Sequence, residues 1–252
     1  MTTLGVAVVG AGGRMGSQAV AAVEAADDLH LTAAVRRGDD LEAAAGADVL
    51  VDLTVPGSVM GNVEWALARG LHVVTGTTGW TDERYAQVER WQRDAAGNVL
   101  IATNFGLGAV LVMQFARQAA RFFESVEVIE MHHPDKVDAP SGSAVRTARL
   151  IAAARAEAGL GPSPDATATQ LDGARGTVVD GIHVHAVRMR GATAHQEVVL
   201  GGPGETLTLR DDTYDRAAYM PGLLLGVREV AGRPGVTVGL EHYLDLGTGP
   251  RA

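Results

Sequence analysis

The feature that most constrains this chain is an alternation of short apolar segments with helical segments over its first hundred residues. Five apolar segments occupy residues 4–9, 31–35, 48–53, 72–75 and 98–102. Helical stretches up to Ala25, from Ser58 to Arg69 and from Asp82 to Asp94 separate most of them. Strands that alternate with helices predict a Rossmann-like, doubly wound parallel sheet. A ligand is then expected at the carboxyl ends of the strands.

A glycine-rich turn follows the first predicted strand. Gly10, Gly12, Gly13 and Gly16 lie between that strand and a helix, which is the setting of a dinucleotide-binding turn. We expect Gly10 to form the tight turn, Gly12 or Gly13 to admit a pyrophosphate, and Gly16 to let the helix pack on the strand. The spacing is G-x-x-G-x-x-G, with the third glycine one place later than usual, and a purely structural turn is the alternative.

Two arginines, Arg36 and Arg37, follow the second predicted strand. NAD-binding proteins commonly carry an acidic residue here for the ribose hydroxyls, whereas NADP-binding proteins use arginine for the 2′-phosphate. The pair therefore favours NADPH as the preferred cofactor, with NADH possible. Arginines that simply face solvent are the alternative.

The second half of the chain has a different pattern. A helix is predicted from Leu107 to Phe123, and strands are predicted at 126–131, 182–190, 195–200 and 205–210, with a polar loop up to Gly176. The strands alternate by two, and we expect the last three to be neighbouring, hairpin-like and mostly antiparallel. They predict a second α+β domain with an open mixed sheet, whose exposed face suggests oligomerisation.

The chain is expected to return to its first domain near the C-terminus. A helix is predicted from Tyr214 to Val230, with Pro221 as a kink or a break inside it, and residues 236–238 are expected to add a last strand. The predicted dinucleotide-binding domain comprises residues 1–105, completed by residues 217–252. Residues 106–216 form the predicted domain for substrate binding and oligomerisation.

The stretch from Glu130 to Ala144, E-M-H-H-P-D-K-V-D-A-P-S-G-S-A, concentrates the chemistry of the chain. Pro134 excludes a regular helix through His132, His133 and Lys136, so these side chains are expected on a loop. Ser141 and the residues after it begin a helix, whose capped N-terminus is an anion site. Proton donors, a cation and an anion site within twelve residues suit a small carboxylate that receives a proton. A polar loop with incidental histidines is the alternative.

Composition excludes several classes of function. The 252 residues carry a formal charge of −9, which argues against a general nucleic-acid-binding protein. No apolar run reaches 18 residues and no signal peptide is recognisable, so we expect a cytoplasmic protein without a membrane partner. The absence of cysteine excludes disulfides, thiolate metal sites and a thiol nucleophile.

His183 and His185 could form a metal site, because histidines two residues apart on a strand face the same way. No third ligand stands at a helpful spacing, and no metal is therefore expected.

These motifs resemble the 4-hydroxy-tetrahydrodipicolinate reductase (dihydrodipicolinate reductase) family of the diaminopimelate–lysine pathway. The most specific segments are residues 130–144, G-T-T-G at 76–79, N-F at 104–105 and G-E-T-L-T at 204–208. The resemblance implies an NAD(P)H-dependent oxidoreductase and a homotetramer joined through the sheets of the second domain. It implies that His132 handles a proton, that Lys136 donates a proton or clamps the substrate, and that His133, Gly142 and Ser143 hold substrate carboxylates. The cofactor residues that it implies are Gly10, Ala11, Gly12, Gly13, Arg14, Met15, Gly76, Thr77, Thr78, Ala102, Thr103, Asn104 and Phe105.

The chain departs from the family pattern at several positions. Arg36 replaces the usual acidic ribose ligand. Leu53 replaces the phenylalanine of a D-F-T motif, Thr103 the proline of A-P-N-F, and Ser143 the threonine of S-G-T. Asp211 stands where a histidine is frequent. These departures leave His132 and Lys136 in place.

The expected reaction is hydride transfer to a cyclic imine dicarboxylate followed by protonation. A proton-transfer histidine contributes roughly 10²–10⁴-fold in rate, and a lysine stabilises developing negative charge. The alternatives are a paralogous reductase of a related cyclic imine and a nucleotide-sensing regulator without activity.

Overall fold

A computed structural model describes residues 3–246 of the chain. The first part alternates strands and helices as expected from the apolar pattern, with a short 3₁₀ helix at Leu41–Ala44. Its elements are β1 (Leu4–Val9), α1 (Arg14–Glu24), β2 (Leu29–Val35), β3 (Val49–Asp52), α2 (Val59–Leu67), β4 (His72–Thr75), α3 (Asp82–Arg93) and β5 (Val99–Ile101).

The middle of the chain forms a second group of elements. Its helix α4 ends four residues before the predicted end at Phe123, and no regular element interrupts the chain between residues 158 and 176. The elements are α4 (Leu107–Ala119), β6 (Ser125–His132), α5 (Gly142–Glu157), β7 (Thr177–Val179), β8 (Ile182–Arg188), β9 (Ala194–Gly202) and β10 (Glu205–Thr213).

The chain then returns through a 3₁₀ helix, Arg216–Tyr219, to α6 (Met220–Glu229) and β11 (Val236–Val238). The sequence predicted a helix from Tyr214 to Val230 with Pro221 as a kink or a break, and the structure shows a break, because a separate α-helix begins at Met220. Pro221 lies in the first turn of α6, where its missing N–H costs no helical hydrogen bond. The predicted domain end at residue 252 includes residues 247–252, which lie outside the described part of the chain.

The chain divides into two compact units. The first unit comprises the residues up to Gly106 together with those from Arg216 onward, and the second unit comprises Leu107–Asp215.

All strands of the first unit run parallel in one sheet of order β11-β5-β4-β3-β1-β2. β1, β3 and β5 are buried almost throughout, as expected for strands with helices on both faces. The added strand at 236–238 is confirmed, because β11 pairs with β5. The strand order reverses between β1 and β3, which is where a doubly wound sheet opens a crevice at its carboxyl edge.

The second unit contains a mixed sheet of order β10-β9-β6-β8-β7. The expected hairpin between the strands at 182–190 and 195–200 was wrong, because β6 lies between β8 and β9 and runs parallel to β8. The physical reason is the crossover helix α5, which carries the chain from β6 to a parallel neighbour. α4 and α5 cover the face that carries Val126 and Val128, and so form the core of this unit.

A short hairpin, which was not predicted from the sequence, joins β7 and β8. Asp180 and Gly181 form its two-residue turn with φ of 48° and 86°, the backbone region that an Asp-Gly pair adopts readily. No helix among residues 3–246 is long and apolar enough to cross a membrane.

Candidate active site

The first unit carries a cleft of about 870 Å³ at the carboxyl ends of β1, β2 and β3. Val9, Val35 and Leu53 stand at those strand ends and line it. Seven of the predicted cofactor residues line the same cleft: Gly10, Gly12, Gly13, Arg14, Met15, Arg36 and Arg37. Ala11, at 7% exposure, is not among the lining residues.

The glycine turn is shaped by two close approaches. Gly10 has φ of 86°, and a Cβ added there would lie 2.5 Å from the carbonyl oxygen of Leu53. A Cβ at Gly16 would lie 2.0 Å from the carbonyl oxygen of Gly10. Gly13, the N-cap of α1, has no side chain to cap the first N–H groups. The turn therefore leaves a helix N-terminus at the cleft that fits a pyrophosphate.

Positive charge dominates the cleft. Arg14, Arg36 and Arg37 line it, and Arg216 of the 3₁₀ helix after the second unit joins them. Asp39 also lines the cleft, but its carboxylate accepts a hydrogen bond of 2.8 Å from the backbone N–H of Arg36. The arrangement suits the phosphate groups of a dinucleotide.

Asp52, at the end of β3, organises the loops beside the cleft although its side chain is fully buried. Its carboxylate accepts hydrogen bonds of 2.6 Å from Thr77 Oγ1, 2.6 Å from Asn62 Nδ2 and 3.0 Å from Thr54 Oγ1. Thr54 and Asn62 line the cleft, so one carboxylate connects the loops after β3 and β4 with α2.

The other predicted cofactor residues lie on the loops after β4 and β5. A Cβ at Gly76 would lie 2.7 Å from Phe105 Cε2 and 2.9 Å from Leu53 Cδ2, so the two loops pack against a residue of the cleft wall. Thr77 Oγ1 accepts a hydrogen bond of 3.0 Å from the N–H of Thr54. Contact of Gly76, Thr77, Thr78, Ala102, Thr103, Asn104 and Phe105 with a cofactor stays a prediction.

In the second unit His132 is the last residue of β6, and its ring is held by the same strand. His132 Nδ1 lies 2.6 Å from Glu130 Oε2. Residues two apart on a strand face the same side, and this side of β6 is the one that packs on α4 and α5. The His132 side chain is 16% exposed, whereas Glu130 is completely buried.

Glu130 receives hydrogen bonds on both carboxylate oxygens. Arg188, at the end of the neighbouring strand β8, donates from its two terminal nitrogens at 2.7 and 2.8 Å, and the N–H of Ser141 donates at 3.0 Å. Burial acts to raise the pKa of Glu130, but the hydrogen bonds from His132, Arg188 and Ser141 outweigh it and lower the pKa to about 2. The same contact with Glu130 raises the pKa of Arg188.

Lys136 lies in the loop that follows β6. The N–H of Lys136 donates to the carbonyl oxygen of His133, closing a turn over Pro134. Lys136 Nζ lies 2.7 Å from Asp138 Oδ1, and this contact lowers the pKa of Asp138. The predicted cation therefore lies three residues after His133, and its side chain has a carboxylate partner.

α5 begins where the sequence predicted an anion site. Ser141 is its N-cap, and its Oγ accepts a hydrogen bond of 3.2 Å from the N–H of Ala144. Gly142 is exposed at the first helical position, and Ser143 follows it half-buried. The Ser141 hydroxyl is buried and occupied as a cap, so the backbone N–H groups of the first turn are the groups suited to a carboxylate.

Glu130, Arg188 and Arg216 were not predicted as site residues from the sequence. Glu130 carried a usable signal, because it stands two places before His132 on a predicted strand. Arg188 is 58 residues from Glu130 and meets it only through the parallel pairing of β6 with β8. Arg216 follows a whole intervening unit, so no local pattern places it at the cleft.

The two histidines considered as metal ligands are engaged elsewhere. His183 Nδ1 lies 2.7 Å from the carbonyl oxygen of Arg175, and His185 Nε2 lies 2.5 Å from Glu127 Oε2. Within residues 3–246 no group of three or more histidine, aspartate or glutamate side chains is arranged to hold a metal ion.

Two family models match the chain. The model described as "Dihydrodipicolinate reductase, N-terminus" matches residues 4–105, and the model described as "Dihydrodipicolinate reductase, C-terminus" matches residues 108–244.

Individual proteins are similar over nearly the whole chain. A 4-hydroxy-tetrahydrodipicolinate reductase of Streptomyces griseus subsp. griseus is 64% identical, covering 98% of this chain and 100% of the relative. One of Corynebacterium aurimucosum is 58% identical, covering 97% and 100%. The dipicolinate-bound dihydrodipicolinate reductase of Paenisporosarcina sp. TG-14 superposes with a TM-score of 0.87 at 35% identity, covering 96% of this chain and 100% of that structure.

Proposed function

The chain belongs to the dihydrodipicolinate reductase family, and on this premise we propose which of its residues carry out the reaction. It is an NAD(P)H-dependent oxidoreductase of the diaminopimelate–lysine pathway that reduces 4-hydroxy-tetrahydrodipicolinate, by way of dihydrodipicolinate, to tetrahydrodipicolinate. One observation carries the residue assignment: the Glu130–Arg188 ion pair is hydrogen-bonded to His132, to the loop that contains Lys136 and to the N-terminus of α5.

The cofactor is assigned to the cleft of the first unit. When bound, reduced nicotinamide supplies the hydride. The N-terminus of α1, which follows the glycine turn, holds the pyrophosphate, because no side chain caps its first N–H groups. The loops after β4 and β5, which include Thr77 and Phe105, complete the binding surface of the first unit.

The proton is assigned to His132 and Lys136. Hydride addition to a conjugated imine leaves negative charge that must be neutralised on a neighbouring atom. His132 transfers the proton, and Lys136 stabilises the developing charge or donates in its place. The 2.7 Å contact with Asp138 holds the Lys136 side chain against its own loop. A substrate carboxylate competes with Asp138 for this ammonium group.

The carboxylates of the substrate are assigned to the start of α5. Gly142 and Ser143 present backbone N–H groups in the first turn, and the helix dipole favours negative charge there. His133 adds a ring nitrogen from the adjacent loop. Ser141 contributes by capping the helix, and so holds these N–H groups in place.

NADPH is the proposed preferred cofactor. Arg14, Arg36, Arg37 and Arg216 line the cleft against the single carboxylate of Asp39. The planar fork of an arginine matches the oxygens of a 2′-phosphate, and no acidic side chain stands in the Arg36 position to repel it. Arg37 is assigned the phosphate contact, and Arg36 the adenine.

A homotetramer is the proposed assembly. The face of β6 opposite to α4 and α5 carries Glu127, Ile129 and Met131, which remain partly exposed, and Val178 and Met189 of the same unit are about half exposed. An open sheet face with exposed apolar side chains suits association with further copies. Mass photometry of purified protein should show the mass of four 26.1 kDa chains, and a monomer would contradict the proposal.

The cytoplasm is the proposed location, because the reaction consumes NAD(P)H from the pool that biosynthesis uses. Fractionation of cells should recover the activity with the cytoplasmic enzymes, and activity confined to another fraction would contradict it.

The assay follows loss of the nicotinamide absorbance when the product of the preceding synthase is added to purified protein and NADPH. We expect one NADPH oxidised for each substrate molecule reduced. A related cyclic imine carboxylate reduced faster than this substrate would favour a paralogous reductase, and nucleotide binding without turnover would favour a regulator.

A further inference from the structure

We propose that Glu130 is a positioning residue, which accepts the Nδ1 proton of His132 and so leaves Nε2 as the ring nitrogen that exchanges a proton with the substrate. The inference rests on the proposed role of His132 and assigns the group that gives this ring its tautomer and its orientation.

The geometry fixes the direction of the hydrogen bond. His132 Nδ1 and Glu130 Oε2 are 2.6 Å apart on one face of β6, and Glu130 is completely buried. A carboxylate without a proton can only accept, so the ring must donate from Nδ1. In a neutral imidazole the other nitrogen, Nε2, then carries the free lone pair.

The remaining contacts of Glu130 keep the carboxylate ionised and immobile. Arg188 donates to both oxygens, and the N–H of Ser141 donates to Oε1. With His132 these make four donors, which match the roughly four acceptor positions of a carboxylate. The low pKa of Glu130, about 2, agrees with a group that neither gives nor takes a proton near neutrality.

Arg188 extends the same support to the loop that carries Lys136. One of its terminal nitrogens also donates to the carbonyl oxygen of Asp138 at 2.7 Å, and the other donates to the carbonyl oxygen of Val187 at 2.8 Å. The ring of His132, the backbone at Asp138 and the start of α5 at Ser141 are therefore held by one ion pair. Such support of a catalytic side chain is what preorganisation requires.

Glu130→Gln is the direct variant, because it keeps the shape and removes the charge. The amide NH₂ must then face either Arg188 or His132 Nδ1, and both positions are occupied by donors. We expect kcat to fall about 10²-fold with the dissociation constant of NADPH unchanged. Glu229→Gln makes the same chemical change at an exposed glutamate of the first unit and should leave kcat unchanged.

A double-mutant cycle with His132→Ala separates positioning from general structural support. If Glu130 acts through the ring, Glu130→Gln lowers kcat about 10²-fold in the wild type and less than about twofold in the His132→Ala background. An equal loss in both backgrounds would overturn the inference in favour of a structural role. Wild-type kcat in Glu130→Gln alone would also overturn it.

The tautomer of His132 can be measured in the wild-type protein, so this test does not require that a Glu130 variant folds. Nitrogen-15 histidine NMR of the intact wild-type protein, with the His132 signals assigned by their loss in His132→Ala, should show that the neutral ring carries its proton on Nδ1 and none on Nε2. A neutral ring that carries its proton on Nε2, with Nδ1 unprotonated, would overturn the inference. Wild-type turnover in His132→Ala would instead contradict the proposed function, so the two failures are distinguishable.

Discussion

Arg188 and Glu130 form a bidentate ion pair across two parallel strands, with N–O distances of 2.7 and 2.8 Å, and the carboxylate is completely buried. A second bidentate pair, Arg228 with Asp28, has the same two distances, but its side chains are about half exposed. The two pairs share geometry and differ in burial, which makes their contributions to stability separable.

We expect Arg188→Met to lower the free energy of unfolding by roughly 3–5 kcal/mol, because it leaves the Glu130 charge buried with fewer partners. Arg228→Met, the matched control, should change the denaturation midpoint little, since water solvates the Asp28 that it leaves. Urea unfolding of both variants measures the difference. Equal effects at the two positions would show that the burial of Glu130 does not increase the contribution of its ion pair to the free energy of unfolding.

The pKa of Glu130 predicts a pH dependence of stability. Its pKa is lowered from 4.5 to about 2 in the folded state, so the contribution is fully present above pH 4.5 and is lost as the pH falls toward 2. The contribution is on the order of 3 kcal/mol. The difference in unfolding free energy between the wild type and Glu130→Gln should therefore shrink between pH 5 and pH 3. A difference that stays constant over this range would contradict the assigned ionisation.

The alternation of strands and helices predicted most of the first unit correctly, because burial on both faces of a parallel sheet and the glycine turn leave local signals. The order of the second sheet was not predictable in the same way. Strands β8 and β9 are consecutive and separated by a short turn, yet β6 lies between them, because α5 acts as a crossover. The hairpin expected from local spacing does not form, because β8 pairs with β6 instead of with β9.

The candidate site shows the same limit. His132, Lys136 and Ser141 lie close together in the sequence and were found there, whereas Arg188 reaches Glu130 only through the strand register. The cleft shows the same limit, since Arg36 and Arg37 directly follow a recognisable strand, whereas Arg216 follows the second unit.

The serines at the start of α5 should differ in their effects. Ser141→Ala removes an N-cap hydrogen bond and should lower the free energy of unfolding by about 1 kcal/mol. Ser143→Ala removes a hydroxyl at the anion site and should therefore raise KM for the substrate, whereas kcat should be nearly kept because the backbone N–H groups remain. Thermal melting and steady-state kinetics measure the two effects. A loss confined to kcat in Ser143→Ala would show that the anion site is wrongly assigned.

The arginines of the cleft predict tighter binding of NADPH than of NADH, by about ten- to a hundredfold at low salt. The ratio should shrink as salt rises, because screening weakens a phosphate contact. The double variant Arg36→Asp, Arg37→Ala should narrow or reverse the preference, whereas Arg121→Ala, an exposed arginine of the second unit, should not. Fluorescence titration gives the dissociation constants. Equal affinities for the two cofactors in the wild type would show that neither arginine contacts the phosphate.

The assignment of proton transfer to His132 and Lys136 is tested most directly by kcat of His132→Ala and Lys136→Ala with the lysine-pathway substrate and saturating NADPH. We expect kcat to fall about 10²-fold or more in each variant, with the NADPH dissociation constant unchanged, because both side chains belong to the second unit and act on the substrate. Wild-type turnover in either variant would contradict it.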